Sequence, residues 1–597
     1  MDVGSLNYTW GLSIVHAYVL SGVQHAVISP GSRSTPLTLA CERHPDMKTW
    51  VQVDERSAAF FALGLAIKSR KPVILVCTSG SAVANWFPAV VEANHSEISL
   101  ILLSADRPAE LQNCGANQTI DQKLFFGSHV RAFHGLDEPS VDVLQTTDLS
   151  QIVAESISES QGTLSGPVHL NIPFREPLLP LVEDLDEIID GLTQTVIANY
   201  PLVPDIPHQP RCAPSSFDGF LDVVEQGDGL IVVGRDLYSA EFIQALNLLA
   251  EGLKVPVIVD HLSNLRFGQH KKTNYIVNYD LFLQQDNFDK NLAKQPDWII
   301  RFGEFPVSKY LAKYLSTCFD AVSIVVGNNA RKQDPLLMAS FLIQSPADTF
   351  VLRLLQLLGF SQCNGKLLAS FKKQDRVAAA IISSAVEDSG KLSEGHIVTC
   401  LLDGLEDKNF IFTANSTAVR MFDTFAINNK SADKNLKIVC NRGASGIDGN
   451  LSTYLGLLAD DNSNGVAVLG DLAFFHDLNG LALCAELNRR GVCGTIIIMN
   501  NNGGHIFNSL PQHSLREFEQ YWLTPLNIDF SHAAALFGLG FQQVDSVGDF
   551  KKALLNSFNN QSIDIIEAVI DQKASLKKHD FLLQQIKLIN DESRHMQ

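Results

Sequence analysis

Two kinds of junction in this chain carry residue types that can do chemistry. In "GVAVLGDLAFF" an apolar run ends in Gly470-Asp471, and in "TIIIMNNNGGHIF" a second ends in Asn500-Asn501-Asn502-Gly503-Gly504. If both runs are parallel strands with a helix between them, Asp471 and Asn501 emerge at one sheet edge. A carboxylate, a carboxamide and the backbone carbonyl at Gly503 make a hard-oxygen set suited to Mg²⁺, which keeps part of its shell for a phosphate. Asp, Asn and Gly are also the common turn formers, so two plain αβ turns are the competing reading. The other junction is "HAVISPGSRSTPLTLA", where Ser32 and Arg33 stand between a strand and a helix start. A guanidinium beside the free N–H groups of a helix N-terminus suits a carboxylate or phosphate. Its alternative is a helix cap with a solvated arginine. Arg107 after "SLILLSAD", Arg420 in "NSTAVRMFD" and Arg442 opening "NRGASGIDG" sit at comparable places.

The elements that must position these residues are short and strongly apolar. "HAVIS", "WVQV", "PVILVC", "SLILLSA" and "GPVHLNIP" read as strands, and "SAAFFALGLAIKS" and "SAVANWFPAVVEA" as helices. Near-continuous apolar strands are those of a parallel sheet covered on both faces. A second set, "GLIVVGR", "PVIVDHLS", "DWIIRFG" and "AVSIVVG", follows the proline-rich stretch 199–216. A mainly helical connection over about 348–405 leads to a third set, "NFIFTAN", "GVAVLGD" and "TIIIMNNN", with a helix expected around 477–490 between the last two. The reading is three open α/β domains with mainly parallel sheets, at 1–190, 191–365 and 366–597. In such sheets ligands lie at the carboxyl ends of strands, where the residues singled out above fall.

Composition narrows the classes. The 597 residues exceed one core, with 46 basic against 65 acidic side chains and a net charge of −19. That balance argues against nucleic acid or an anionic membrane surface as partner. Ten scattered cysteines without a CxxC pair indicate neither a zinc ribbon nor a disulfide framework. No basic-then-apolar leader and no membrane-length apolar run are visible, so a cytoplasmic protein is expected.

The Gly470-Asp471 and Asn501 spacing resembles the thiamine diphosphate signature. The segments "SPGSRSTPLTLA", "DERSAAFFALGLA", "TSGSAVANWFPAVVEA", "LLSADRPAELQNCGANQTIDQ", "NRGASGIDGNLST" and "GDLAFFHDLNGLAL" together resemble one family of such enzymes. That family is MenD, the 2-succinyl-5-enolpyruvyl-6-hydroxy-3-cyclohexene-1-carboxylate (SEPHCHC) synthases of menaquinone biosynthesis. The resemblance covers most of the first and third domains and only the general pattern of the middle one. It implies a transferase that decarboxylates 2-oxoglutarate and adds the succinyl-semialdehyde carbanion equivalent to isochorismate. Thiamine diphosphate and Mg²⁺ (or Mn²⁺) are its implied cofactors.

The same resemblance assigns residues. Glu55 would hydrogen-bond N1′ of the cofactor's aminopyrimidine, although an acid complementing a helix N-terminus is its plainer explanation. Gly470, Asp471, Asn501 and Gly503 would hold metal and diphosphate. Ser32, Arg33, Arg107, Asn117, Gln118, Ser416, Arg420 and Arg442 would divide the carboxylates and hydroxyls of both substrates. Ile447 would either wedge the cofactor into a bent shape or anchor its glycine loop. Phe507 and Leu510 either wall the isochorismate pocket or belong to the core. The chain departs from the family at two places. Lys309 is followed by Tyr310 where a second basic residue is expected, and His505 replaces an expected glutamine, adding a group that titrates near neutral pH. Since Glu55 and Asp471 fall in different domains, the resemblance implies a homodimer or homotetramer with shared sites. An acetohydroxyacid synthase-like carboligase, a 2-oxoacid decarboxylase and a non-catalytic nucleotide-binding protein are the rival readings.

Overall fold

The structure, a computed structural model, describes residues 2–141, 148–180, 219–285, 288, 294–327, 333–359, 365–387, 390–427, 432–459 and 465–595. The proline-rich stretch 199–216 and the 190/191 boundary lie outside them. Three six-stranded sheets organise the chain, and every strand pairing within them is parallel. The first holds β1 (His25–Ile28), β2 (Lys48–Val51), β3 (Val73–Cys77), β4 (Leu100–Asp106), β5 (Phe133–Gly135) and β6 (Val168–Pro173) in the order 2-1-3-4-6-5. The second holds β7 (Gly229–Val233), β8 (Val257–Val259), β9 (Tyr275–Ile276), β10 (Trp298–Phe302), β11 (Val322–Gly327) and β12 (Phe341–Gln344) in the order 12-11-10-7-8-9. The third holds β13 (Phe410–Thr413), β14 (Lys437–Val439), β15 (Gly465–Gly470), β16 (Gly494–Asn500), β17 (Gly540–Val544) and β18 (Ile563–Val569) in the order 14-13-15-16-18-17.

Counted from its own first strand, the third sheet repeats the order of the first. The middle sheet instead has the doubly wound order of dinucleotide-binding folds. In the first and third sheets strand order reverses beside the opening strand, between β1 and β3 and between β13 and β15. Ligand crevices open at such reversals, because the connections on either side leave in opposite directions.

Two helices differ from expectation. "SAVANWFPAVVEA" forms two helices, Ser81–Asn85 and Phe87–Ser96, because Pro88 lacks the N–H needed to continue one and instead starts the next. The helix expected near 477–490 begins earlier. Asp471 itself opens the helix Asp471–His476, which leads through a 3₁₀ turn to Ala482–Arg489.

The first and third units pack tightly within the chain. The helix Glu55–Ser69 is buried from Ser57 to Ala66, and it lies against Asn450–Leu458. A Cβ on Gly64 would stand 2.1 Å from the Thr453 carbonyl oxygen, and one on Gly456 would stand 2.1 Å from that of Phe61. Both glycines are therefore required for the approach. The helices Lys366–Glu387 and Gln572–His595 cover the middle sheet instead, where Leu367, Phe371, Leu582 and Ile586 join Phe282 and Tyr314 in one core.

Candidate active site

At the reversal of the first sheet, the expected anion-binding residues meet one another. Arg33, only 5% exposed, donates from Nη1 to the Phe174 carbonyl (2.9 Å) and from Nη2 to Glu176 Oε1 (2.7 Å). Its buried Nε has no hydrogen-bond partner among the described residues. Arg107, just past β4, donates to Ser79 Oγ (2.7 Å) and to the Asn117 carbonyl (3.0 Å). Ser79 Oγ in turn donates to the Gln118 carbonyl (3.0 Å), and the side chains of Ser32, Asn117 and Gln118 are exposed. Burial, with Arg33 close by, holds the Arg107 guanidinium below its ordinary value. Two arginines so placed repel each other until an anion arrives.

Glu55 opens its helix beside this cluster. Its Oε2 accepts from Asn85 (3.2 Å), while its neighbours grip the third unit. Arg56 donates to the His476 carbonyl (2.8 Å), Asn479 donates to Asp54 Oδ2 (2.8 Å), and Ser57 donates to Asp477 Oδ1 (3.3 Å). Among the described residues no hydrogen bond or ion pair joins Glu55 to Asp471, Asn501 or Gly503.

At the third sheet, Asp471 is buried at the end of β15 and accepts from the Gly503 N–H through Oδ2 (2.7 Å). Burial pushes its carboxyl up to about 6, against the N–H groups of Leu472 and Gly503. Gly503 has φ +130°, and a Cβ there would meet the Leu523 carbonyl oxygen at 2.3 Å, so the turn requires glycine. Asn502 and Asn527 brace it by reciprocal hydrogen bonds of 2.9 and 3.1 Å. The Asn501 carboxamide makes no hydrogen bond among the described residues, and the space a Cβ on Gly470 would enter is open to 4 Å. A buried carboxylate and a carboxamide without a hydrogen bond among the described residues, at the ends of paired strands beside open space, fit a divalent cation carrying a diphosphate.

The glycine-rich loop is held from the first unit. Buried Glu92 accepts from the Gly443 and Ala444 N–H groups (2.7 and 2.6 Å), and Asn415 donates to the Asn441 and Gly446 carbonyls (2.7 and 2.9 Å). Ile447 projects from this loop, 42% exposed. Arg442 donates to Asn415 Oδ1 (2.8 Å) and borders a cavity of about 680 Å³ at the junction of all three units. Ser416 sits at φ +65°, ψ −129° at the start of the helix Thr417–Phe425, an unusual conformation for a residue with a side chain. Its carbonyl accepts from Arg420 (2.6 Å), whose guanidinium burial and Arg442 together hold below its ordinary value.

Arg420 faces a separate cavity of about 210 Å³ that also presents Lys309, Tyr310, Asn501 and His505. Lys309 Nζ lies 5.0 Å above the Tyr310 ring, and burial lowers the His505 imidazole. Phe507 and Leu510 are outside this lining, and Ile506 is the apolar residue their segment contributes. Lys309, Arg420 and Asn501 thus share one cavity, while Arg33, Arg107, Asn117 and Gln118 gather, with Ser32, at the reversal of the first sheet. Sequence reasoning passed over Ser79, Glu92, Asn415 and Glu176. A lone acid in the otherwise apolar "NWFPAVVEA" was the one available sign of Glu92.

Residues 10–125 match the family described as thiamine pyrophosphate enzyme, N-terminal TPP binding domain, and residues 207–412 match the middle domain of thiamine pyrophosphate enzymes. A solved thiamine diphosphate-dependent 4-hydroxybenzoylformate decarboxylase of Rhodococcus jostii RHA1 superposes with a TM-score of 0.66 at 14% identity, covering 96% of this chain and 99% of that one. That likeness bears on fold alone. The SEPHCHC synthase of Dechloromonas aromatica (strain RCB) is 39% identical over 568 residues, covering 95% of this chain and 99% of that protein. The one from Oceanobacillus iheyensis is 38% identical over 573 residues, with 95% of each covered. Full-length likeness at this level, on a fold with this site, places the chain in the SEPHCHC synthase family of thiamine diphosphate-dependent enzymes.

Proposed function

We propose that this chain catalyses decarboxylation of 2-oxoglutarate and addition of the resulting succinyl-semialdehyde unit to isochorismate, giving SEPHCHC and CO₂. The observation that carries this reading is the paired arrangement of cations at two like strand-end crevices, in a chain of this family. Both substrates are dianions, and a monoanionic oxoacid would need fewer such groups.

Asp471, Asn501 and the Gly503 carbonyl would hold Mg²⁺ or Mn²⁺, and Gly470 leaves room for the diphosphate it carries. When bound, thiamine diphosphate supplies the carbon that accepts the electron pair left by decarboxylation. Glu55 would hydrogen-bond N1′ of the cofactor's aminopyrimidine, and Ile447 would pack against the cofactor. Arg33 and Arg107, with Ser32, Asn117 and Gln118, orient a substrate carboxylate. Ser416 and Arg442 would add polar groups to the substrates from the third unit. Lys309 and Arg420 take the acceptor's carboxylate in the smaller cavity, where Tyr310 and His505 set its shape. A bidentate arginine–carboxylate contact in a site closed to water contributes about 1.5–3 kcal/mol.

The complete centre forms between subunits, so the protein is a homodimer or a pair of homodimers. Supporting this, no hydrogen bond or ion pair among the described residues joins Glu55 to the Asp471 turn of its own chain. Val51 and Val53, just before Glu55, and Phe475, just after Asp471, are exposed apolar side chains, as is Ile447, and a second copy would cover them. The domain limits 1–190, 191–365 and 366–597 belong to the same proposal.

The test follows isochorismate by absorbance while thiamine diphosphate, Mg²⁺ and 2-oxoglutarate are omitted in turn. Loss that requires all three is expected. Loss without 2-oxoglutarate, or succinic semialdehyde as the main product with isochorismate present, would overturn the reading.

A further inference from the structure

Among the middle unit's residues that line the smaller cavity is one buried acid. Asp280 lies on the short helix Tyr279–Phe282 and is 8% exposed. Its Oδ1 accepts from Ser308 Oγ (2.7 Å) and its Oδ2 from Thr424 Oγ1 (2.7 Å). Ser308 caps the helix Lys309–Thr317, its Oγ accepting from the Leu311 N–H (3.2 Å), so the residue after this contact is Lys309. Thr424 stands one turn beyond Arg420 on the helix Thr417–Phe425, with its Oγ1 3.2 Å from the Arg420 carbonyl. One carboxylate thereby ties the two backbone segments from which Lys309 and Arg420, two of the cavity's cations, project.

The charges are arranged to leave those cations open. Asp423, next to Thr424, accepts from Tyr279 (2.8 Å) and is paired with Arg266, so it is taken up by a cation outside the cavity. Asp280 meets two hydroxyls and, at 3.4 Å, the Gln284 side-chain amide, and no ion pair to it occurs among the described residues. Its negative charge supports Arg420 from a distance without closing a salt bridge that would occupy the guanidinium.

We propose that Asp280 is a positioning residue that holds Lys309 and Arg420 at the spacing required by the acceptor's carboxylate. The proposal rests on the reading of this cavity as the acceptor site. It gives the middle unit a direct part in substrate selection.

The test compares Asp280→Ala, Asp280→Asn, Ser308→Ala and Thr424→Val by steady-state kinetics on the holoenzyme, varying each substrate separately. Losing both hydroxyl contacts should raise KM for isochorismate about tenfold or more, and losing one about threefold, from the usual energy of one hydrogen bond. KM for 2-oxoglutarate should stay within about twofold. Asp280→Asn, whose amide can serve both hydroxyls, should restore most of the isochorismate KM. If Asp280→Ala does not fold, Thr424→Val carries the same test through one contact. An equal rise in both KM values, or a fall in kcat alone, would overturn the proposal, as would an unchanged isochorismate KM. Wild-type enzyme that consumes no isochorismate would instead remove the reading on which it rests.

Discussion

The first and third sheets share one strand order, yet their corresponding strand ends carry opposite equipment. The ends of β1, β3 and β4 lead to Arg33, Ser79 and Arg107, whereas the ends of β13, β15 and β16 lead to Ser416, Asp471 and Asn501. Where the first sheet offers guanidinium donors, the third offers carboxylate and carboxamide oxygens at the same topological places. The fold specifies where a ligand can sit, and side-chain chemistry decides whether that ligand is an anion or a cation. The donors also differ in commitment: Arg33 and Arg107 already serve partners of their own chain, while Arg420 gives one bond to Ser416 and turns to an open cavity.

The sharpest way to break this comparison is at the acid the first sheet contributes. Glu55→Gln keeps the shape and the Asn85 contact but cannot hold the proton as a carboxylate does. Turnover should fall by at least about 100-fold, the usual scale of acid–base assistance, while thiamine diphosphate binding measured by calorimetry changes little. Normal turnover would return Glu55 to the role of a helix-end acid. Next in size is the contrast between arginines. Arg420→Ala should raise the isochorismate KM by about 10- to 100-fold, the loss expected for one charge-assisted contact. Arg33→Ala also removes a brace to Phe174, so it should lower thermal stability as well as affinity. Equal stability losses in the two variants would erase the distinction between committed and open donors.

How far the sequence revealed this arrangement depended on burial. Strands sealed on both faces, such as "VILVC" and "VHLNI", were legible as apolar runs. The strands passed over are mostly sheet edges: β5, β9, β12, β14 and β17, which are short or partly exposed and so carry no continuous run. β18 is interior, but Asp564 and Glu567 interrupt its pattern. In the site, residues in compact motifs such as Asp471 and Arg33 were readable. Glu92 and Asp280 were not, because each acts on backbone or hydroxyls hundreds of residues away or in another unit, with no local signature.

A smaller effect tests whether the two like sheets are one body. Asp477, fully buried, accepts from the Ser452 N–H (2.7 Å) and from Ser57 of the first unit, and burial pushes its carboxyl up to about 6. Its ordinary value of 3.8 applies once the chain unfolds, so between these values the folded protein binds more protons. The group's contribution is therefore full below about pH 4 and is lost as pH rises through about 6, a swing of roughly 1–3 kcal/mol. Asp477→Asn keeps an acceptor for Ser452 and removes the titration. Denaturation between pH 4 and 8 should show wild type losing stability relative to the variant as pH rises. A constant difference across that range would mean that the carboxyl titrates normally.

The smallest expected effect asks most directly what Arg33 is for. Its partner Glu176 has a side chain 71% exposed, against 6% for Arg33, so the acid can leave while the base cannot. If Arg33 binds a substrate carboxylate, Glu176 competes for it, and the unpartnered Nε marks the face the substrate takes. Exposed ion pairs are weak, so Glu176→Gln should lower the KM of the substrate held there by only about two- to fourfold, an effect that shrinks with added salt. If Arg33 is instead a brace between β1 and the segment after β6, loss of the acid loosens the guanidinium and KM rises. The sign of a small change decides between the two roles, because only a competitor improves binding when it is removed.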